Sequence, residues 1–260
     1  MYKKIIWPLL LVSAVALALL FASGFVASIT VSRSDDSVPA DETVEESADL
    51  PEESLPAGEA SDILILGDSI GFGVGDEENL GIGGRYLALL DEEDEEQSVS
   101  NHSVPGHDST QLADLIDSGE LDPDISSARL IIVSIGGNDL NPLVFEDQLT
   151  LTPVFEDTLN TYLENLRLTL SEIRDLNPEA QLALIGLYNP YGSDEPEQAG
   201  FLLEWNYETR VLAHADTRLA YIPTYELFEY HLNEYLAPDD FHPSGAGYQV
   251  IAETLFQILN

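Results

Sequence analysis

Residues Ile63 to Asp76 read ILILGDSIGFGVGD. An apolar run meets a glycine, an acid and a serine, and then three glycines at alternate positions, Gly71, Gly73 and Gly75. Three readings compete. Gly67-x-Ser69-x-Gly71 fits G-x-S-x-G, in which a nucleophilic serine sits on a strand-to-helix elbow. A glycine-rich turn after an apolar strand also fits a phosphate cradle. The third reading is a plain strand followed by a flexible loop.

Charge removes the second reading. The chain of 260 residues carries 48 acidic and 9 basic residues, a net charge of −39. Its only lysines are Lys3 and Lys4, so a G-K-[ST] loop and a lysine Schiff base are both excluded beyond the N-terminus. Asp76 stands where the dinucleotide fingerprint needs its third glycine, and an acid there repels pyrophosphate. A surface this acidic also excludes nucleic acid as a partner. It fits a saline setting, where salt screens self-repulsion, and equally drift in an extracellular protein. With no cysteine there is no thiol nucleophile, disulfide or cysteine zinc site.

Outside the quoted stretch the chain divides in three. Residues 1–30 join a short basic start to an apolar run from Ile5 to Ile29, the pattern of an export signal long enough to span a bilayer. Lys3 and Lys4 would remain cytoplasmic, which places the rest outside the cell. The expectation is a membrane anchor, or a secreted protein if Val26-Ala27-Ser28 is cleaved. Residues 31–61 are rich in Ser, Pro, Glu and Asp without apolar period, and read as a disordered acidic linker.

Residues 62–260 alternate apolar runs with helical patterns. Ile63–Leu66, Ser98–Val104, Leu130–Ile135, Leu182–Leu187 and Ala220–Ile222 read as strands. Gly84–Leu90, Ser109–Ile116, a stripe from Leu159 to Ile173, Ala199–Ala215 and a C-terminal stretch around Tyr248–Leu255 read as helices. Such alternation predicts an α/β fold with a mostly parallel sheet of about five strands, covered on both faces. Ligands of these sheets bind at the carboxyl ends of the strands.

Four segments fall there: Gly67-Asp68-Ser69, Pro105-Gly106-His107-Asp108-Ser109, Gly136-Gly137-Asn138-Asp139 and Pro238-Asp239-Asp240-Phe241-His242-Pro243. Each alone is ordinary turn or cap chemistry. Together they supply the parts of ester hydrolysis. Ser69 is a hydroxyl at a strand end. His242 takes its proton, and Asp239, three residues earlier, holds the imidazole tautomer. The N–H groups of Ser69 and Gly106 and the amide of Asn138 supply an oxyanion hole, Gly106 because it lacks a Cβ. Asp240 is the fallback acid. A metal site from Asp239, Asp240, His242 and His107 has no clear ligand spacing. His102, His214 and His231 carry no role.

These four blocks, GDSI with Ser69, PGHDS with Gly106, GGND with Asn138 and DDFHP with His242, resemble the GDSL (SGNH) esterases and lipases. The setting resembles exported bacterial members of the lysophospholipase type. The resemblance implies a three-layer α/β/α flavodoxin-like fold, the D-x-x-H spacing of Asp239 and His242, and no cofactor. Ile70 replaces the usual Leu. An α/β-hydrolase elbow lies deep in its domain, whereas only a linker precedes this serine, so the stretch reads as a nucleophile loop with Gly71 serving loop geometry.

Leu140–Phe155 and Leu187–Trp205 mix apolar residues with turn formers, and are read either as the walls and lid of an acyl pocket or as plain loops closing on the core. The expected function is hydrolysis of an acyl or lysophospholipid-like ester outside the cell, with small-molecule or lipid esters as partners. The alternatives are O-deacetylation of cell-surface glycans, and a non-catalytic membrane-tethered binding domain. The oligomeric state is open.

Overall fold

The computed structural model describes residues 62–90, 97–145, 148–192 and 196–260. The expected anchor (residues 1–30) and linker (residues 31–61) lie outside them. Among the described residues no helix is long and apolar enough to cross a membrane.

The described chain begins in β1 (Ile63–Gly67) and a one-turn helix, α1 (Ser69–Phe72). Then come α2 (Gly81–Leu87), β2 (Val99–Asn101), α3 (Ser109–Asp117), α4 (Asp122–Ser127) and β3 (Leu130–Ser134). A short helix, α5 (Gly137–Leu140), leads into a 3₁₀ turn (Asn141–Phe145) and the long α6 (Gln148–Leu176). The chain closes with β4 (Gln181–Ile185), α7 (Pro196–Ala213), β5 (Leu219–Ile222), the short α8 (Tyr225–Phe228) and α9 (Leu232–Tyr235), and α10 (Gly245–Leu259).

The strands form one sheet in the order β2-β1-β3-β4-β5, and every neighbouring pair is parallel. β1 and β3 are buried at every residue, which is why they read as unbroken apolar runs rather than alternations. Alternate side chains feed two separate cores. Leu64, Leu66, Ile131, Val133, Leu182 and Leu184 pack with α3, α4, α6 and α7. Ile63, Ile65, Leu130, Ile132, Ala183 and Ile185 face α2 and α10. This is the expected three-layer α/β/α sandwich, with the second strand placed outside the first. The chain leaves β1 toward one edge and, from β3 onward, builds toward the other. The crevice between the carboxyl ends of β1 and β3 is therefore the topological switch point, where ligands of open α/β sheets bind.

Several boundaries differ from the sequence reading. α6 begins at Gln148 rather than near Leu159 and carries Pro153 inside it, so most of what looked like loop is helix. α2 begins at Gly81 rather than Gly84, because the Asp76 carboxylate accepts the Gly81 N–H at 2.8 Å and starts the helix early. Ser69 is not in a loop: it is the first residue of α1, capped by Asp68. Gly71, assigned to loop geometry, lies in the same turn of helix.

Candidate active site

β1 delivers Ser69 to the switch point. Asp68 precedes it and is almost wholly buried, at 2% exposure. Its Oδ1 accepts the N–H of Ile70 at 2.9 Å, that of Gly71 at 3.4 Å and the Ser134 hydroxyl at 3.2 Å. Burial pushes the Asp68 carboxyl up from 3.8 to about 6, with those hydrogen bonds opposing it. The acid both caps α1 and ties the end of β1 to the end of β3.

The opposite wall is the loop before α10. Ser69 Oγ lies 3.0 Å from His242 Nε2, and His242 Nδ1 lies 2.7 Å from Asp239 Oδ2. An ionised carboxylate can only accept, so Nδ1 carries the proton and Nε2 is left to accept from the serine hydroxyl. Asp239 Oδ1 accepts the N–H groups of Phe241 and His242, both at 3.0 Å. Burial works to raise the Asp239 carboxyl, but the hydrogen bonds from His242 and Phe241 outweigh it and hold the acid below its ordinary range. Asp240 does not compete. It adopts a left-handed backbone, φ 57°, and its N–H bonds to Ala237 O.

The glycines of the opening stretch bring this loop to the serine. Gly75 has φ 94°, and a Cβ there would stand 2.5 Å from Pro243 O and 3.0 Å from His242 Cβ. Only a bare backbone lets the two loops approach so closely. The contact is fastened on both sides. Tyr248 donates its hydroxyl to Val74 O at 2.8 Å, and Glu77 Oε2 accepts the N–H of Gly245 at 2.8 Å. Asp76 takes Arg85 in a buried two-point pair, 2.6 and 2.9 Å. The sequence reading saw in Asp76 only an acid hostile to phosphate; it anchors the loop. Its partner was legible only as the lone arginine of the GGRY segment.

The third wall is the turn after β3. Asn138 lines the cleft beside Ser69. One proton of its Nδ2 goes to His107 O at 2.8 Å, and among the described residues the second has no partner. Asp139 fixes the same turn from behind, accepting the Ser109 hydroxyl at 2.5 Å and the Ser109 N–H at 3.0 Å. Asp108 caps α3 in a capping box with Gln111, as its position suggested. Gly106 sits on an exposed turn next to His107, at φ 89°, and is not among the residues lining the cleft. A Cβ there would meet open space, so the backbone angle rather than crowding requires glycine.

The remaining histidines sit apart. His102 bonds Ser100 and Asp124, His214 bonds Arg210 O, and His231 stacks on Tyr235. Among the described residues no three His, Cys, Asp or Glu side chains converge as metal ligands.

From Ser69 the cleft runs between the two segments singled out in the sequence. Its inner wall is apolar: Leu140, Leu143, Phe155, Leu187, Phe201 and Leu202. Phe155 closes the floor against Trp205, which is stacked on Tyr162 at 4.3 Å.

A serine hydroxyl in line with an imidazole and a carboxylate, beside an apolar cleft, is matched by sequence comparison. Residues 65–250 fit the model of the GDSL-like lipase/acylhydrolase family. The chain belongs to that family. It is a GDSL-type carboxylic ester hydrolase with the SGNH hydrolase fold. It is 30% identical over 206 residues to the uncharacterized protein YpmR of Bacillus subtilis, covering 76% of this chain and 80% of that one. It is 27% identical over 197 residues to the spore germination lipase LipC of Bacillus licheniformis, covering 73% and 92%. Among solved structures, the lipase Lip_vut3 from a goat rumen metagenome superposes with a TM-score of 0.67 at 25% identity, covering 76% of this chain and 97% of that one.

Proposed function

We propose that this GDSL hydrolase cleaves acyl esters outside the cell, through Ser69, His242 and Asp239. The observation that carries the reading is the unbroken line Ser69 Oγ, His242 Nε2, His242 Nδ1, Asp239 Oδ2, with steps of 3.0 and 2.7 Å. Ser69 Oγ attacks the ester carbonyl while its proton passes to His242 Nε2. Asp239 keeps Nδ1 protonated and stabilises the imidazolium. The oxyanion receives the N–H of Ser69 and the second amide proton of Asn138. Collapse expels the alcohol, which takes the proton from Nε2 and leaves an acyl group on Ser69. Water then gives a proton to Nε2 and attacks the acyl carbonyl. The acid departs and Ser69 Oγ regains its proton.

The apolar inner wall favours a substrate with an alkyl chain, including lysophospholipid-like esters, over the acetyl groups of glycans. The basic start and apolar run of residues 1–30, followed by the acidic linker, support export and membrane anchoring. The test is hydrolysis of p-nitrophenyl esters from acetyl to palmitoyl by the full chain and by Ser69→Ala, with fluorophosphonate labelling of both. Turnover and labelling by wild type, both abolished in Ser69→Ala, are expected. Labelling that persists in Ser69→Ala refutes the assignment.

A further inference from the structure

The two segments that wall the cleft are bridged at its mouth. Tyr191, after β4, donates its hydroxyl to Asn141 Oδ1, after β3, at 2.8 Å. Both residues line the cleft, and Tyr191 is 46% exposed, while Phe155 and Leu202 beneath are buried. The bridge therefore lies at the solvent side of an apolar interior.

Tyr191 is set in place before any substrate arrives. Its N–H bonds to Asn189 Oδ1 at 3.1 Å, and the Asn189 amide closes the turn onto Gly192 O. Its ring tilts against Phe241 at 6.3 Å, and Phe241 meets the His242 imidazole edge to face at 5.1 Å. The Phe241 carbonyl accepts the Tyr188 hydroxyl at 2.7 Å. The bridge is thus coupled by packing to the loop that carries His242.

We propose that the Tyr191–Asn141 bridge is a strap that sets the length of acyl chain the enzyme accepts; this rests on the acyl-ester reading of the same cleft. A short chain seated on Leu140, Leu143 and Leu202 lies beneath the strap. A longer one must leave through the mouth and break the hydrogen bond. Tyr191 and Asn141 act as specificity-determining residues, and either one removes the strap when its polar group is lost.

The experiment compares wild type, Tyr191→Phe, Asn141→Ala and the double variant, all in the full chain. The readout is the ratio of kcat/KM for dodecanoyl to butanoyl p-nitrophenyl esters. Calorimetric binding of dodecanoate and butanoate, in a Ser69→Ala background, reads the corresponding long-to-short ratio without turnover. Each single variant should raise the long-to-short ratio about fivefold, the factor carried by one net hydrogen bond. The double variant should raise it no further, because both substitutions delete one interaction. A ratio that stays at the wild-type value, falls, or rises additively in the double variant overturns the strap. If wild type hydrolyses no ester, the acyl-ester reading fails, and the binding ratios still decide the strap.

Discussion

Asp68 offers a quantitative test of how the site is built, through Asp68→Asn. The carboxyl is raised from 3.8 to about 6 in the folded protein by burial. Below pH 3.8 both folded and unfolded chains hold its proton. Between 3.8 and 6 the folded chain keeps a proton that the unfolded chain has lost, so stability falls as pH rises. Above 6 both are ionised and the full destabilisation remains. A shift of this size corresponds to about 3 kcal/mol. Asparagine keeps an acceptor for Ile70, Gly71 and Ser134 but never ionises. The unfolding free energy of the variant minus that of wild type should therefore climb by up to about 3 kcal/mol between pH 4 and pH 7. Urea unfolding at intervals of pH, followed by circular dichroism, measures it, and taking the difference cancels the other carboxylates. A difference that stays level, or narrows as pH rises, refutes a buried ionised acid beneath Ser69.

Three further outcomes are expected. Gly75→Ala must push the His242 loop away from Ser69, so kcat should drop by roughly 10²-fold or more with a smaller change in KM; steady-state kinetics with an unchanged kcat would disprove the close-packing argument. Asn138→Ala should lower kcat by about 10²–10³, the usual effect of losing one oxyanion donor, with KM little altered. With a net charge of −39, thermal unfolding should shift upward as NaCl rises from millimolar to molar. A flat melting curve across that range would show that self-repulsion contributes little to stability.

The strands were legible because β1 and β3 are buried on both faces and leave no polar interruption. The meeting of Ser69, His242 and Asp239 was legible because these residues follow a strand or precede the last helix, and turn chemistry marks those places. What escaped the sequence depends on partners far along the chain. The first turns of α6 escaped because they contain Pro153, which lacks the N–H a helix interior needs; α6 nevertheless runs through it. α1 has only four residues, too short for any periodicity, and exists because Asp68 caps it. The Arg85–Asp76 pair, the Glu77 contact to Gly245 and the Tyr191–Asn141 bridge join residues whose meeting no local pattern announces.

Ser69 and His242, which meet at 3.0 Å, are 173 residues apart in the chain. A ribosome making this protein adds Ser69 well before His242. Under the proposed mechanism, Ser69 is an ordinary alcohol until Asp239 and His242 have emerged and the sheet has closed. Under that mechanism any product truncated before Asp239 is inert toward esters. The order of synthesis thus acts as a time lock on the hydrolase.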